Sequence, residues 1–475
     1  MKRRKKLNAL LLLLLVLVMA VCGCTSNSSS VEMPVYETED TFLIGNWGVP
    51  PHANTGYMEY ANNPDYCNVE EWTKMKECGF NLAIPTLGAS VEEICRDLKM
   101  ADEVGMKLYV RDQTDVGFET MIKYAQSMGY DYDETYALLE EKSEDIKKNL
   151  DVYKEYESFR GVNVYDEPSM DYMDAIAACQ DWFLKYYPEY EFYFVLLPVY
   201  AIPTQLYGLS DGQGYTYPDY VEQFAKIVNP AMLSYDHYPI LRDYDGGAYV
   251  KEDFLYNLNV FAKQAKKSGV PVYIYLQTMG FFENLPITTY EEFAWQCYTS
   301  MSFGVRGIMC FQYWTQLQDE KYNNVRDGIV DRDGTITPLY YEVQKVFNEI
   351  KAMEDVYLHY EWEGVKTYES GRNVNEMFAQ VYDQLDELKS IKKVESDQDI
   401  LIGQFTDEDE NDAYMVTNVT EPFEPVTANV SLTFDKDCNA VMVVAKGERS
   451  VVELNKHVLN IEIGSGEGYF IVPVR

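Results

Sequence analysis

Histidine is scarce in this chain, four among 475 residues, and the nine cysteines include no Cys-x-x-Cys and no short metal-ligand spacing. Both shortages argue against a zinc site, and no metal or other cofactor is expected. With the Cys22–Cys24 pair set aside, Cys67, Cys78, Cys95, Cys179, Cys297, Cys310 and Cys438 remain, an odd number spread over the whole length. Cys179 and Cys310 fall inside apolar periodic segments, where a thiol packs as a small hydrophobe, so no disulfide framework is expected either. Positive charge is also short: 40 Lys and Arg stand against 77 Asp and Glu, for a net charge of −37. Such a surface repels polyanions, which argues against nucleic acid as a partner and fits neutral ligands better. A glycine-rich phosphate fingerprint is missing, since Gly45 and Gly48 do not make one, and no repeat of solenoid length is visible.

The basic residues that do occur are concentrated at the start. Lys2, Arg3, Arg4, Lys5 and Lys6 precede an apolar run from Leu7 to Val21, which closes on Gly23-Cys24. A charged n-region and an h-region too short for a comfortable transmembrane helix make residues 1–23 an expected export signal. Val21-Cys22-Gly23-Cys24 resembles a bacterial lipoprotein box, which implies lipidation of Cys24, with Cys22 as the alternative acceptor. Residues 24–41, serine-rich at first, then read as a tether to a membrane surface. Removing residues 1–23 takes away five positive charges and no acids, which moves the net charge from −37 to −42.

From 42 to 353 short apolar runs alternate with amphipathic stretches, the pattern of a parallel sheet with crossover helices. The expected strands are 42–49, 80–87, 106–112, 159–167, 190–198, 232–239, 270–277 and 306–314. Several intervening helices end on a glycine suited to a C-terminal cap: Gly79, Gly105, Gly269 and Gly304. Eight such units in about 310 residues fit a (β/α)8 TIM barrel, which typically takes ~250 residues plus insertions; the main insertion is the helical region 131–158. Past 354 the texture changes to short alternating segments separated by Asp, Asn, Gly and Pro, an expected C-terminal all-β sandwich ending at Arg475.

The most telling motif is GVNVYDEP, Gly161 to Pro168. Its β-branched residues read as a buried strand that Pro168 stops just after Asp166 and Glu167, placing two acids at a strand's carboxyl end, the catalytic rim of a barrel. Glycoside cleavage needs a carboxylic acid with a raised pKa, and an adjacent acid supplies part of that shift by like-charge repulsion. The other strand ends add Asn46 and Trp47, Arg111 and Asp112, Asp236, His237 and Tyr238, Gln277, Gln312 and Trp314. Carboxylates for chemistry, amides and a phenol for hydroxyls, and indoles as flat apolar platforms suit a carbohydrate substrate. His237 reads more readily as a hydrogen-bonded structural residue.

The stretches LSYDHYP (233–239), PVYIYLQT (271–278), FGVRGIMCFQYWTQ (303–316) and GIVDRDGTITPLYYEVQKVFNEI (328–350) are similar to those of glycoside hydrolase family 42 β-galactosidases and their relatives in the clan A barrels. The terminal GSGEGYFIVPV (464–474) resembles the closing strands of β-domains attached to such barrels. The resemblance implies Glu167 as general acid/base, with Asp166 where the clan has asparagine. It also puts Leu276 at the family's strand-seven nucleophile and Gln277 at the glutamine after it, and no carboxylate follows before Glu283. Three readings stay open. Asp166 and Glu167 could form a substrate-assisted pair, Asp166 steadying an acetamido group held by Tyr238 and Gln277. Glu167 and Asp236 could form an inverting pair ~6.5–9.5 Å apart. The barrel could instead be an inactive, lipid-anchored carbohydrate-binding protein that keeps Glu167 as a ligand contact.

Overall fold

The computed structural model describes residues 33–36, 40–56, 60–85, 90–208, 214–318, 324–371 and 375–474. The expected signal and the lipidation position Cys24 lie outside the described residues.

Among the described residues, ten strands occupy the first part of the chain: β1 (Leu43–Trp47), β2 (Leu82–Ala83), β3 (Lys107–Val110), β4 (Phe159–Asp166), β5 (Glu191–Val195), β6 (Leu233–Asp236), β7 (Ile240–Arg242), β8 (Ala248–Val250), β9 (Val272–Gln277) and β10 (Val305–Phe311). β7 and β8 form a small antiparallel hairpin. The other eight fall within the eight expected segments, save that β10 starts one residue early. They pair in parallel as two sheets, β1-β10-β9-β6 and β2-β3-β4-β5. Trp47 bridges Ile84 beyond β2, and Leu196 beyond β5 bridges Tyr235 of β6, both in parallel, so each edge of one sheet meets an edge of the other. Helices cross between successive parallel strands, and sharp caps set their ends. Ser90 and Glu93 close a capping box on the helix Val91–Val104, and Gly79, Gly105 and Gly269 end their helices in the left-handed conformation.

Strand alternation sorts the core into two layers. Leu43, Trp47, Leu82, Tyr109, Tyr193, Tyr273, Tyr275 and Met309 pack with one another on one face of the parallel strands. Ile44, Leu108, Val162, Ile274, Leu276 and Ile308 face the helices instead. Gly45 lets the inner layer close: a Cβ there would lie 2.0 Å from Met309 Sδ.

The last helix of this part runs from Pro338 to Leu358, past the expected end at 353. Nine antiparallel strands follow: β11 (Glu361–Tyr368), β12 (Ile391–Ser396), β13 (Ile400–Thr406), β14 (Asp412–Asn418), β15 (Ala428–Phe434), β16 (Ala440–Ala445), β17 (Glu448–Glu453), β18 (Val458–Ile463) and β19 (Gly468–Val474). They form a six-stranded sheet, β11-β13-β14-β19-β16-β17, and a three-stranded one, β12-β15-β18. Ile400, Ile402, Val416, Leu432 and Ile471 fill the space between the sheets. On the opposite face of the larger sheet, Leu401, Phe405, Met415 and Phe470 join the core of the helical layer. Gly403 stands in this second face, where a Cβ would come within 2.1 Å of Ser302 O.

Candidate active site

Asp166 and Glu167 reach one cavity through two departures from regular strand geometry. In an unbroken β4, Asp166 would share the helix-facing side of Val162 and Val164. The pairing with β5 slips between Asn163 and Tyr165, so that Asp166 falls opposite the inward Val195. This bulge turns Asp166 to the face of Val195 and the cavity. The next residue should then point away, but Glu167 adopts φ +56°, left-handed for a side chain other than glycine, while its N–H donates to Val195 O at 2.9 Å. Both acids therefore line the same cavity, about 240 Å³ in volume, together with Asp236 from the end of β6.

The three carboxyls interact strongly. Asp166 and Glu167 are open to the cleft, yet protein encloses them on the remaining sides, so burial disfavours their charged forms. Burial and the charge of Asp166 push Glu167 up to about 7, opposed by a side-chain hydrogen bond with Asp236. Asp236, 5% exposed, is raised well above the ordinary carboxylate range by burial and then by Glu167 and Asp166. Asp166 is raised by burial, with Arg111 pulling the other way. The two residues of the inverting reading, Glu167 and Asp236, line this one cavity together.

Aromatic rings wall the cavity: Trp47, Tyr238, Phe281, Phe282 and Phe311. Phe281 and Phe311 lie with ring centroids 5.2 Å apart, each 5.2 Å from Tyr238. The Tyr238 phenol faces all three carboxyls, and burial followed by Asp236 raises its pKa well above the usual value. A second cavity, about 370 Å³, adjoins the first and shares Trp47, Asp166, Phe311, Gln316 and Gln318 with it. Gln312 and Trp314 line that second space. Both are almost fully buried, and the Trp314 ring packs on Tyr66 at 4.9 Å. Arg111 stands 4.9 Å from the Trp47 ring centroid and 3.1 Å from Glu119 Oε2.

Three expected rim residues are elsewhere. Asn46 alternates with the inward Trp47 and lines neither cavity; its Nδ2 donates to Gly48 O at 2.7 Å. Asp112 accepts from Tyr153 Oη at 2.9 Å, Thr114 N at 2.9 Å and Asn149 Nδ2 at 3.2 Å, tying the end of β3 to the inserted helix Ser143–Tyr153. Gln277 is committed to backbone: Oε1 accepts from Ile240 N, and Nε2 donates to Ile240 O and Leu285 O. It therefore has no amide to offer a substrate, which corrects that part of the substrate-assisted reading. Leu276 is buried against the helices, and the β9 side chain that lines the cavity is Tyr275. His237 is structural, as read, held by Asn257 Oδ1 at 2.9 Å and Asp253 at 3.3 Å.

Among the described residues, one grouping has metal-ligand proximity, His52, Cys67 and Asp97, whose ligand atoms lie within 4.8 Å of one another. Its members hydrogen-bond to one another through Asp97 Oδ1, while Asp97 Oδ2 is buried without a partner. Asp97 Oδ1 lies 3.0 Å from His52 Nε2 and accepts from Cys67 Sγ, while the Arg96 guanidinium lies 3.3 Å from His52 Nδ1, a poor setting for a cation. Sequence reasoning missed Tyr275, Phe281, Phe282, Phe311, Gln316 and Gln318; the doubled Phe281-Phe282 just beyond β9 was the available signal.

No family model and no curated protein sequence matches the chain. Among solved structures it is similar to a family 39 glycoside hydrolase from the gut symbiont Bacteroides cellulosilyticus WH2, with 12% identity, 91% of this chain and 80% of that one covered, and a TM-score of 0.45. It is also similar to the endo-β-1,4-mannanase from Thermotoga petrophila, with 13% identity, coverage of 89% and 90%, and a TM-score of 0.41. A β-glucosidase from Thermotoga maritima in complex with noeuromycin gives 12% identity, coverage of 66% and 99%, and a TM-score of 0.42.

Proposed function

We propose that this chain is a glycoside hydrolase of the (β/α)8 barrel type, related to family 42, in which Glu167 is the general acid. The observation that carries this is a carboxyl raised to about 7 in a cavity walled by aromatic rings. At neutral pH such a group still holds a proton to give, which the chemistry demands of it.

The partner of Glu167 is the substrate itself. β9 brings Tyr275 rather than a carboxylate to the cavity, and Asp236, whose charged form burial disfavours, is a poor base for activating water. A 2-acetamido sugar resolves this. Glu167 protonates the glycosidic oxygen, the C1–O bond breaks, and the acetamido oxygen attacks C1 to form a cyclic cation. Asp166 accepts a hydrogen bond from the acetamido N–H and balances the charge, and Tyr238 holds the group against the rings. Water then adds at C1 and displaces the acetamido oxygen, whose bond to C1 breaks, while the Glu167 carboxylate takes the water's proton, restoring the acid. Asp236, whose ionisation burial and Glu167 disfavour, completes the acidic cluster in the same cavity.

Glu167→Gln should lower the rate on substrates with poor leaving groups by about 10²–10⁴, and less on activated aryl glycosides, which need little protonation. Asp166→Asn should impair acetamido sugars selectively. If the wild type cleaves no glycoside in a broad screen yet binds sugars, the enzyme reading fails and a carbohydrate-binding protein replaces it. The same proposal places the protein outside the cell on a lipid anchor at Cys24. Cys24→Ala should release it from the membrane fraction; retention with no acyl mass on the wild type would sink that part.

A further inference from the structure

We propose that Phe282 is the platform for a second sugar residue, so that the cleft selects oligosaccharides of two or more residues over single sugars; this rests on the glycosidase reading of the cavity around Glu167. Phe282 is 61% exposed and still lines that cavity, whereas Trp47 opposite is 5% exposed. Its φ is +46°, in the left-handed region that a phenylalanine rarely occupies. Nothing about the turn is slack. Asn284 N donates to Phe281 O at 2.8 Å, and Asn284 Nδ2 donates to Tyr238 O at 3.1 Å. Arg326 Nη2 donates to Asn284 O at 3.0 Å, and Arg242 N donates to Glu283 O at 3.0 Å.

The loop after β6, the β7 strand and the segment around Arg326 thus hold the turn from separate sides, and together they fix a strained backbone that presents an apolar ring to solvent. Exposure and strain both destabilise the fold, and strain of this kind persists where surrounding structure over-determines it, as at ligand clamps. The ring's main aromatic neighbour is Phe281, at 6.2 Å. Its open face suits the C–H face of a pyranose, the way aromatic side chains meet flat apolar surfaces. With one sugar in the cavity and the scissile oxygen at Glu167, the next residue crosses the rim that Phe282 forms.

The test is isothermal titration of the Glu167→Gln protein, which binds without turnover, with β-linked gluco-, galacto-, manno- and N-acetylglucosamine sugars of one, two and three residues. In at least one series the two-residue sugar should bind about tenfold more tightly than the single one. Adding Phe282→Ala or Phe282→Gly should abolish that ratio, and Phe282→Trp should keep it. Phe282→Gly should also melt at or above the parent's temperature, because glycine takes this φ without strain; a ring with a purely structural role would give the opposite shift. A length preference that survives Phe282→Ala, the lack of any preference, or no binding by any sugar overturns the proposal. Turnover is read separately: a wild type that cleaves nothing yet shows a Phe282-dependent preference overturns only the glycosidase reading.

Discussion

The proton balance of three carboxyls sets the behaviour of the site with pH. A general acid works only while it holds its proton, so a Glu167 raised to about 7 predicts that kcat falls as pH climbs through that value. Asp166 contributes to the shift by repulsion, so in Asp166→Asn the alkaline limb should move to lower pH; an unmoved limb on an activated substrate would remove Asp166 from the account. Stability should follow the same groups with the opposite benefit. Asp236 keeps its proton in the fold at pH values where the unfolded chain, near pKa ~3.9, has lost it. The folded state then binds more protons, and stability declines as pH rises above that unfolded value. Asp236→Asn should therefore be the more stable protein in thermal melts at pH 8, and its advantage should vanish at pH 4.

At the scale of elements, the eight parallel strands were legible because each is a short apolar run between helical periods. Which strand-end residues face the cleft was not, because that depends on parity. Trp47 and Asn46 are adjacent and face opposite ways, and the same rule sends Leu276 to the helices and Tyr275 to the cavity. The bulge in β4 and the left-handed Glu167 override parity where it matters most, and neither leaves a mark in GVNVYDEP. β11 and β12 are hard to read because EWEGVKTY and IKKVES carry charges that blur the strand alternation. Gln277 shows how an expected ligand contact can be a joint between elements. Replacing it with Leu strands the backbone groups of Ile240 and Leu285, and replacing it with Glu removes the donor they need. Each change should cost about 3 kcal/mol in urea unfolding, the scale of a few buried groups left unpaired. A loss below about 0.5 kcal/mol would show the clamp to be idle.

At the scale of the whole molecule, the β-sandwich and the helical layer share one continuous core. Trp295 Nε1 donates to Val419 O at 3.3 Å, and the Tyr357 ring meets Phe405 and Phe470 at 5.4 and 5.5 Å. The two parts should melt in a single calorimetric transition. Gly403→Ala, which forces a methyl group against Ser302 O, should lower that transition as a whole, by about 1–3 kcal/mol of overpacking. Two separated transitions, with only one of them moved by the substitution, would contradict the shared core. β19 lies between β14 and β16, in the middle of the larger sheet, although it is the last strand described. At roughly 5–20 residues per second, translation reaches it some seconds after β14 has emerged. Until then β14 presents an open edge and the helix Tyr290–Ser302 lacks part of its cover, so the nascent chain passes through a window in which a chaperone or a neighbouring chain can take the place of β19.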